Sequence, residues 1–213
     1  MSPTEIVTGD EGPLINAPDH LDFTPGTTRP PQLVRWRIPI AENYAISPPG
    51  HENQLQLTSS VLNLTGYDGN YAGPEGQTFI SRRQVDTYFT FSVTLDYVAL
   101  SAEGEEAGVS VFRVQNHHFD LGVVMLRTDN ASESAEVSPH LRLRGESYLP
   151  VPEKVFTPVN ETWWSQSLTM ESRAFNDTHY SLPVGPRAHE YLWQTLGYAP
   201  AAALSFGFTG ESF

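Results

Sequence analysis

Between Tyr88 and Tyr97 the chain alternates without a break. Phe89, Phe91, Val93, Leu95 and Tyr97 occupy one set of positions, and Tyr88, Thr90, Ser92, Thr94 and Asp96 occupy the other. Successive side chains of a strand point to opposite faces, so this period of two puts an apolar row against a core and a polar row toward solvent or a groove. Weaker runs of the same kind cover residues 54–64, 78–83, 109–115, 119–126, 141–144, 168–175, 179–183 and 203–209. Turn clusters such as TGYDGNYAGPEG (65–76) and SAEGEEAG (101–108) separate them. Eight or nine short strands at this spacing predict an all-β fold of two antiparallel sheets packed face to face. Only residues 187–196 (RAHEYLWQTL) have helical composition, enough for one short element, and no internal repeat is visible.

Composition agrees. Only 17% of the 213 residues are charged, against about 25% in an average chain, which excludes a long-helix or coiled-coil protein. A 39% hydrophobic share with 11% aromatics supports a core and excludes full disorder. The length suits one β-sandwich. Residues 1–33 hold six prolines and read as a tail that orders only where it docks, so residues 1–18 are expected to be flexible and 19–213 to form a single domain. Twelve Lys and Arg against 25 Asp and Glu leave a net charge of −13, which argues against a phosphate-tracking, nucleic-acid-binding protein and favours a neutral or cationic partner. With no Cys, disulfides, thiolate nucleophiles and zinc-thiolate sites are excluded. The start MSPTEIVTGD lacks the basic and apolar segments of a signal peptide, and no run of about 18 apolar residues occurs, so no membrane partner is expected.

An acidic β-sandwich invites comparison with glycosidases, which place two carboxylates on either side of the scissile bond. No strand carries acids in the alternating pattern that would aim them into one cleft. Glu105 and Glu106 are adjacent and point to opposite sides, and Glu171 stands alone. Solvated or structural roles fit them better. His118 and Asp120 share a strand face and follow His117, yet two ligands are too few for a metal site, so neither metal nor cofactor is expected. No nucleophile-elbow or spaced triad signature is present, and no catalytic residue is assigned.

Aromatic residues are the better clue. The segment Gly66-Tyr67-Asp68-Gly69-Asn70-Tyr71 sets two tyrosines and polar groups between glycines, and Arg83 and Gln84 follow at the next strand. Rings that offer an apolar face beside planar hydrogen-bonding groups suit sugar binding, so Tyr67, Asp68, Tyr71, Arg83 and Gln84 are candidate carbohydrate-binding residues. Trp163 and Trp164 form a second candidate platform. The competing reading of each aromatic is an ordinary core or edge residue. Four Asn-x-Ser/Thr sequons, at Asn63, Asn130, Asn160 and Asn176, are candidate glycosylation sites and hint at a secreted ancestry.

Several longer runs carry a family resemblance: DFTPGTTRPPQLVRWRIP, ISPPGHENQLQL, GYDGNYAGPEGQTFISRRQVDTYFTFSVTLDY, EEAGVSVFRVQNHHFDLGV and LSFGFTG. Over roughly residues 19–210 the chain resembles the C-terminal sandwich domain of fungal glycoside hydrolase family 43 β-xylosidases and arabinofuranosidases. The resemblance implies a concanavalin A-like sandwich, akin to the xylan-binding modules of family 91, and an extracellular location. In that family the sandwich follows a five-bladed propeller that carries two catalytic Asp and one Glu, and no position here corresponds to them. The family also continues beyond the phrase matching Phe208-Thr209-Gly210, so a closing strand or two is expected to be missing. Its sandwich sets a loop against the propeller, and the segment 66–76 lies where that loop is expected.

Three readings follow. The first is a non-catalytic module that binds xylan or arabinoxylan. The second is an interaction module whose aromatic loop packs on a glycosidase propeller, with no sugar affinity. The third and least supported is a glycosidase acting on xylosides or arabinosides. A last expectation concerns the end of the chain, where Leu204, Phe206 and Phe208 alternate as the buried face of a strand that leaves an apolar sheet edge open.

Overall fold

The computed structural model describes residues 19–66, 76–128 and 136–205. Among these, twelve strands form: β1 (Leu33–Arg35), β2 (Tyr44–Ile46), β3 (Leu55–Leu57), β4 (Ile80–Arg82), β5 (Phe89–Leu95), β6 (Glu106–Val114), β7 (His117–Arg127), β8 (Val137–Glu146), β9 (Val155–Pro158), β10 (Leu168–Ala174), β11 (His179–Pro186) and β12 (Gln194–Pro200). Helical structure among the described residues is confined to short 3-10 turns. The protein is all-β.

Two four-stranded antiparallel sheets, ordered β6-β7-β8-β9 and β12-β11-β10-β5, make a sandwich. Its core is read from alternating positions. Val109 and Val111 of β6, Phe119, Leu121 and Val123 of β7, and Leu141 and Leu143 of β8 meet Leu168 and Met170 of β10 and Leu182 and Val184 of β11. Leu121, Leu141, Leu168, Met170, Leu182 and Val184 are wholly buried, each worth about 1.5–3 kcal/mol relative to exposure. In β5 the expected pattern holds: Phe91, Val93 and Leu95 are half-buried against the core, Phe89 is half-buried beside Tyr180, and Thr90, Ser92 and Thr94 are exposed.

Strand β7 is covered on both faces, since every residue from His117 to Met125 is buried. The second cover is a layer built by residues 19–66 and 76–87. Trp36 meets Phe112 of β6 edge-on at 5.0 Å, and Phe79 lies 4.8 Å from the same ring. The Tyr44 hydroxyl accepts from the Phe79 amide at 2.9 Å, and the Arg35 guanidinium lies 4.4 Å over the Tyr44 ring. Asp19 pairs with Arg82 at 2.7 Å, and Phe23 bridges to Asn53. The Pro-rich stretch is thus docked from Asp19 onward.

The structure corrects two assignments. Residues 187–196 hold only a single 3-10 turn at Glu190–Leu192, and β12 begins at Gln194. The strand can form there because Gly197 lets the two sheets approach: a Cβ at that position would lie 2.4 Å from the Leu143 side chain. Ala201–Leu204 is also a 3-10 turn rather than the start of a strand, and it buries Ala203 and Leu204 together instead of alternately. Phe206 and Phe208 fall outside the described residues. In β11, Pro183 sits where the register to β12 shifts, a bulge that tolerates the missing N–H.

Candidate functional site

The described residues among those singled out in the sequence stand on separate parts of the fold. Tyr67, Asp68, Tyr71 and the sequon Asn130 lie outside the described residues. The two ends of the aromatic segment are described, and they are pinned together. Gln77, 5% exposed, donates its amide to the Asn63 carbonyl, and the Gly66 amide donates to the same oxygen at 3.1 Å. Gly66 and Gly76 both have positive φ (63° and 65°), the conformation in which glycine carries no Cβ penalty. Arg83 and Gln84 sit in the exposed turn after β4, where the Gln84 amide donates to the Asp86 carbonyl at 2.9 Å.

Trp163 is 7% exposed and belongs to the core, with the Tyr97 hydroxyl donating to its carbonyl at 3.0 Å. Its ring therefore offers no open platform, because the sandwich interior occupies it. Trp164 is 40% exposed and donates its indole N–H to the Val159 carbonyl at 3.0 Å, which fixes the ring. Asn63, Asn160 and Asn176 all stand in exposed turns. In the last two, the Asn carbonyl oxygen accepts both the amide and the hydroxyl of the Thr two residues on.

The most elaborate polar arrangement lies on the outer face of β6-β7-β8. Strand pairing sets Ser110 beside Asp120 and Asp120 beside Arg144. Asp120 accepts from the Ser110 hydroxyl at 2.7 Å and from Arg144 Nε at 2.9 Å, and its Oδ1 lies 2.9 Å from His118 Nδ1. The other ring nitrogen of His118 lies 3.3 Å from the Thr65 hydroxyl. Burial pushes the Asp120 carboxyl up, but the hydrogen bond and charge of His118, the Arg144 charge and the Ser110 hydroxyl outweigh it and hold the group below its ordinary value. One row along, Arg142 donates from Nε to Glu106 at 2.7 Å and from a terminal nitrogen to the second carboxylate oxygen. Burial, with Arg144 alongside, lowers the Arg142 guanidinium to about 10.

This ladder resembles a Thr-His-Asp relay in outline but not in access. His118 is fully buried, both its ring nitrogens are engaged, and the Asp120 oxygens are filled by Ser110, His118 and Arg144. What it does is fasten Thr65, at the root of the aromatic segment, to the central strand of the sheet. The remaining acids noted in the sequence are engaged as well. Glu105 accepts the amides of Ser101 and Ala102, which lowers its carboxyl, and Glu171 accepts from Arg173 at 2.5 Å.

Two surface depressions involve residues that the sequence reading passed over. One, of about 490 Å³, is lined by Glu103, Leu126, Arg127, His140, Phe156 and Pro158. The other, of about 200 Å³, is lined by Arg173, Pro183, Glu190, Trp193, Gln194 and Thr195. The signal for the second was obscured by the helical reading of 187–196, which hid that Trp193 leads into an edge strand.

Comparison with known proteins identifies a family. A family model described as the β-xylosidase C-terminal concanavalin A-like domain covers residues 22–210. No curated protein and no solved structure matches the chain.

Proposed function

Because the chain belongs to the family of β-xylosidase C-terminal concanavalin A-like domains, we propose that it is a non-catalytic carbohydrate-associated module of xylan degradation that binds xylan or arabinoxylan. The observation that carries this reading is the extent of the match, which takes in both sheets and the covering layer. The chemistry is compatible with it. A protein of net charge −13 meets no repulsion from a neutral polysaccharide, and exposed aromatic side chains such as Trp164, Tyr191 and Tyr198 supply apolar faces with polar tips. An extracellular location, with glycans on the exposed Asn63, Asn160 and Asn176, accompanies the proposal.

Affinity electrophoresis in gels with and without arabinoxylan or xylan tests it. The expected result is slower migration in the polysaccharide gels. Identical migration in all of them, at polysaccharide concentrations that retard a known xylan binder, overturns the reading.

A second reading is supported by one patch. Ile38 and Val61, 90% and 93% exposed, flank the pinned segment, and Ile38 and Ile40 are the neighbours of Gly76. Such apolar exposure suits packing on a glycosidase propeller. Co-purification of this chain with a family 43 propeller, lost on Ile38→Asp, would support that role; no association would exclude it.

A further inference from the structure

The outer face of the β12-β11-β10-β5 sheet turns away from the core. Antiparallel pairing fixes what lies on it. Thr90, Arg173 and Ser181 form one cross-strand row, continued by Tyr198 of β12, and Ser92 stands beside Glu171 in the next. Glu171 and Arg173 are two apart on β10, so they share this face. Their side chains differ sharply in access: the Glu171 side chain is 9% exposed and that of Arg173 46%. The buried carboxylate grips Arg173 through Nε and leaves the two terminal nitrogens without a partner among the described residues.

Across from Arg173 stands Trp193. Its ring packs on Gly185, where a Cβ would lie 2.2 Å from the indole, and its N–H donates to the Pro186 carbonyl at 3.0 Å. The ring is therefore locked in place. Between the two lies the depression of about 200 Å³ with Pro183, Glu190, Gln194 and Thr195 completing its lining. The side chains of Glu190, Gln194 and Thr195 meet no partner among the described residues either. A fixed indole, a guanidinium pre-set by a buried acid, a carboxylate, an amide and a hydroxyl thus surround one small hollow.

We infer that this hollow between Arg173 and Trp193 is a binding subsite for one sugar unit of a neutral polysaccharide. It rests on the carbohydrate reading above and assigns that activity to the β5/β10–β12 face rather than to the 66–76 segment. Its volume lies below the roughly 300–1,000 Å³ of pockets for drug-sized ligands, which suits a single ring. The indole walls one side of the hollow, whose lining is chiefly polar, and Arg173, Glu190, Gln194 and Thr195 take hydroxyls. Glu171 cancels the charge of Arg173, and Glu190 leaves the hollow net negative, in a chain of net charge −13, so a neutral polyol is favoured over an anionic ligand. Because both the ring and the guanidinium are already fixed, little ordering entropy is lost on binding. From the hollow the face continues past Tyr198 and Phe175, whose rings meet at 6.3 Å, to Tyr88; each is more than half exposed, and they extend the track for a longer chain.

Affinity electrophoresis on xylan, arabinoxylan and a mixed-linkage β-glucan would compare the wild type with Trp193→Ala, Glu190→Ala/Gln194→Ala and Tyr67→Ala/Tyr71→Ala. Melting temperatures would be recorded alongside. The Glu190/Gln194 pair lies at the surface and leaves the core intact, so it keeps the test valid if Trp193→Ala folds poorly. The expected result is about a tenfold rise in Kd for the Glu190/Gln194 variant, or ~1.4 kcal/mol, weakened retention for Trp193→Ala, whose loss removes one wall of the hollow, and wild-type retention for Tyr67→Ala/Tyr71→Ala. Xylo-oligosaccharide should also perturb the tryptophan fluorescence of the wild type and not of Trp193→Ala. If the wild type is retained and the Glu190/Gln194 variant is retained equally, the subsite is wrong while the carbohydrate reading stands. Retention on β-glucan alone, abolished by the variants, keeps the subsite and overturns the xylan assignment. No retention of the wild type on any of the three overturns both.

Discussion

Asp120 shows how one carboxylate can be held in a sheet. Its side chain is 11% exposed, and His118, Ser110 and Arg144 surround it. Removing Arg144 leaves a buried carboxylate without the arginine paired to it, so Arg144→Leu should lose about 3–5 kcal/mol of stability, read from the urea midpoint. A loss under about 1 kcal/mol would show that the ion pair is dispensable. The pH dependence has a definite sign. The folded carboxyl titrates below its ordinary value, so its stabilisation is complete above about pH 4 and disappears as the pH falls through the folded value. Asp120→Asn should lack this acid-side component, and matching acid-unfolding curves for variant and wild type would contradict it. That His118 and Asp120 share a face was legible from their spacing. Their purpose was not, since Arg144 stands 24 residues from Asp120 and Thr65 stands 53 from His118.

At the scale of elements, close approach decides which strands can pair and pack. In β6, a Cβ on Gly108 would lie 2.1 Å from the Leu121 carbonyl oxygen, an atom of the neighbouring backbone that cannot step aside. At Gly197 of β12 the obstruction is the end of the Leu143 side chain, which can turn. Gly108→Ala should therefore cost roughly 2–3 kcal/mol and Gly197→Ala about 1, in chemical denaturation of both variants. Equal losses would mean that the β6–β7 pair yields as easily as a side chain. The same contrast explains what the sequence revealed. Strand β5 was plain because its inner and outer faces differ in polarity, the outer one being exposed. Strands β9 and β12 escaped notice because Phe156 and Tyr198 break the apolar-in, polar-out rule by projecting outward, and Gly197 faces the core with no side chain at all.

At the scale of the whole molecule, four acids that the sheets and their turns hold are committed to structure. Glu106, Asp120 and Glu171 are each tied to an arginine, and Glu105 is spent on a turn. Glycoside hydrolysis needs one carboxyl able to give a proton and a second able to act as base or nucleophile across the bond. None of these four is in a position to do either. The purified chain should release no chromophore from aryl xylosides or arabinosides. Turnover that survives purification and disappears with one Asp or Glu substitution in this chain would refute that. An all-β sandwich was written in local sequence, because the period of two is a property of neighbouring residues and the apolar rows have to be buried somewhere. The locations of the fixed charges and of the accessible aromatic rings belong to tertiary structure. Trp163 and Trp164 are adjacent in the chain, yet one closes the core and the other meets solvent. Arg173 and Trp193 are twenty residues apart and face each other across one hollow, because β10, β11 and β12 pair side by side and a buried glutamate holds the arginine in place.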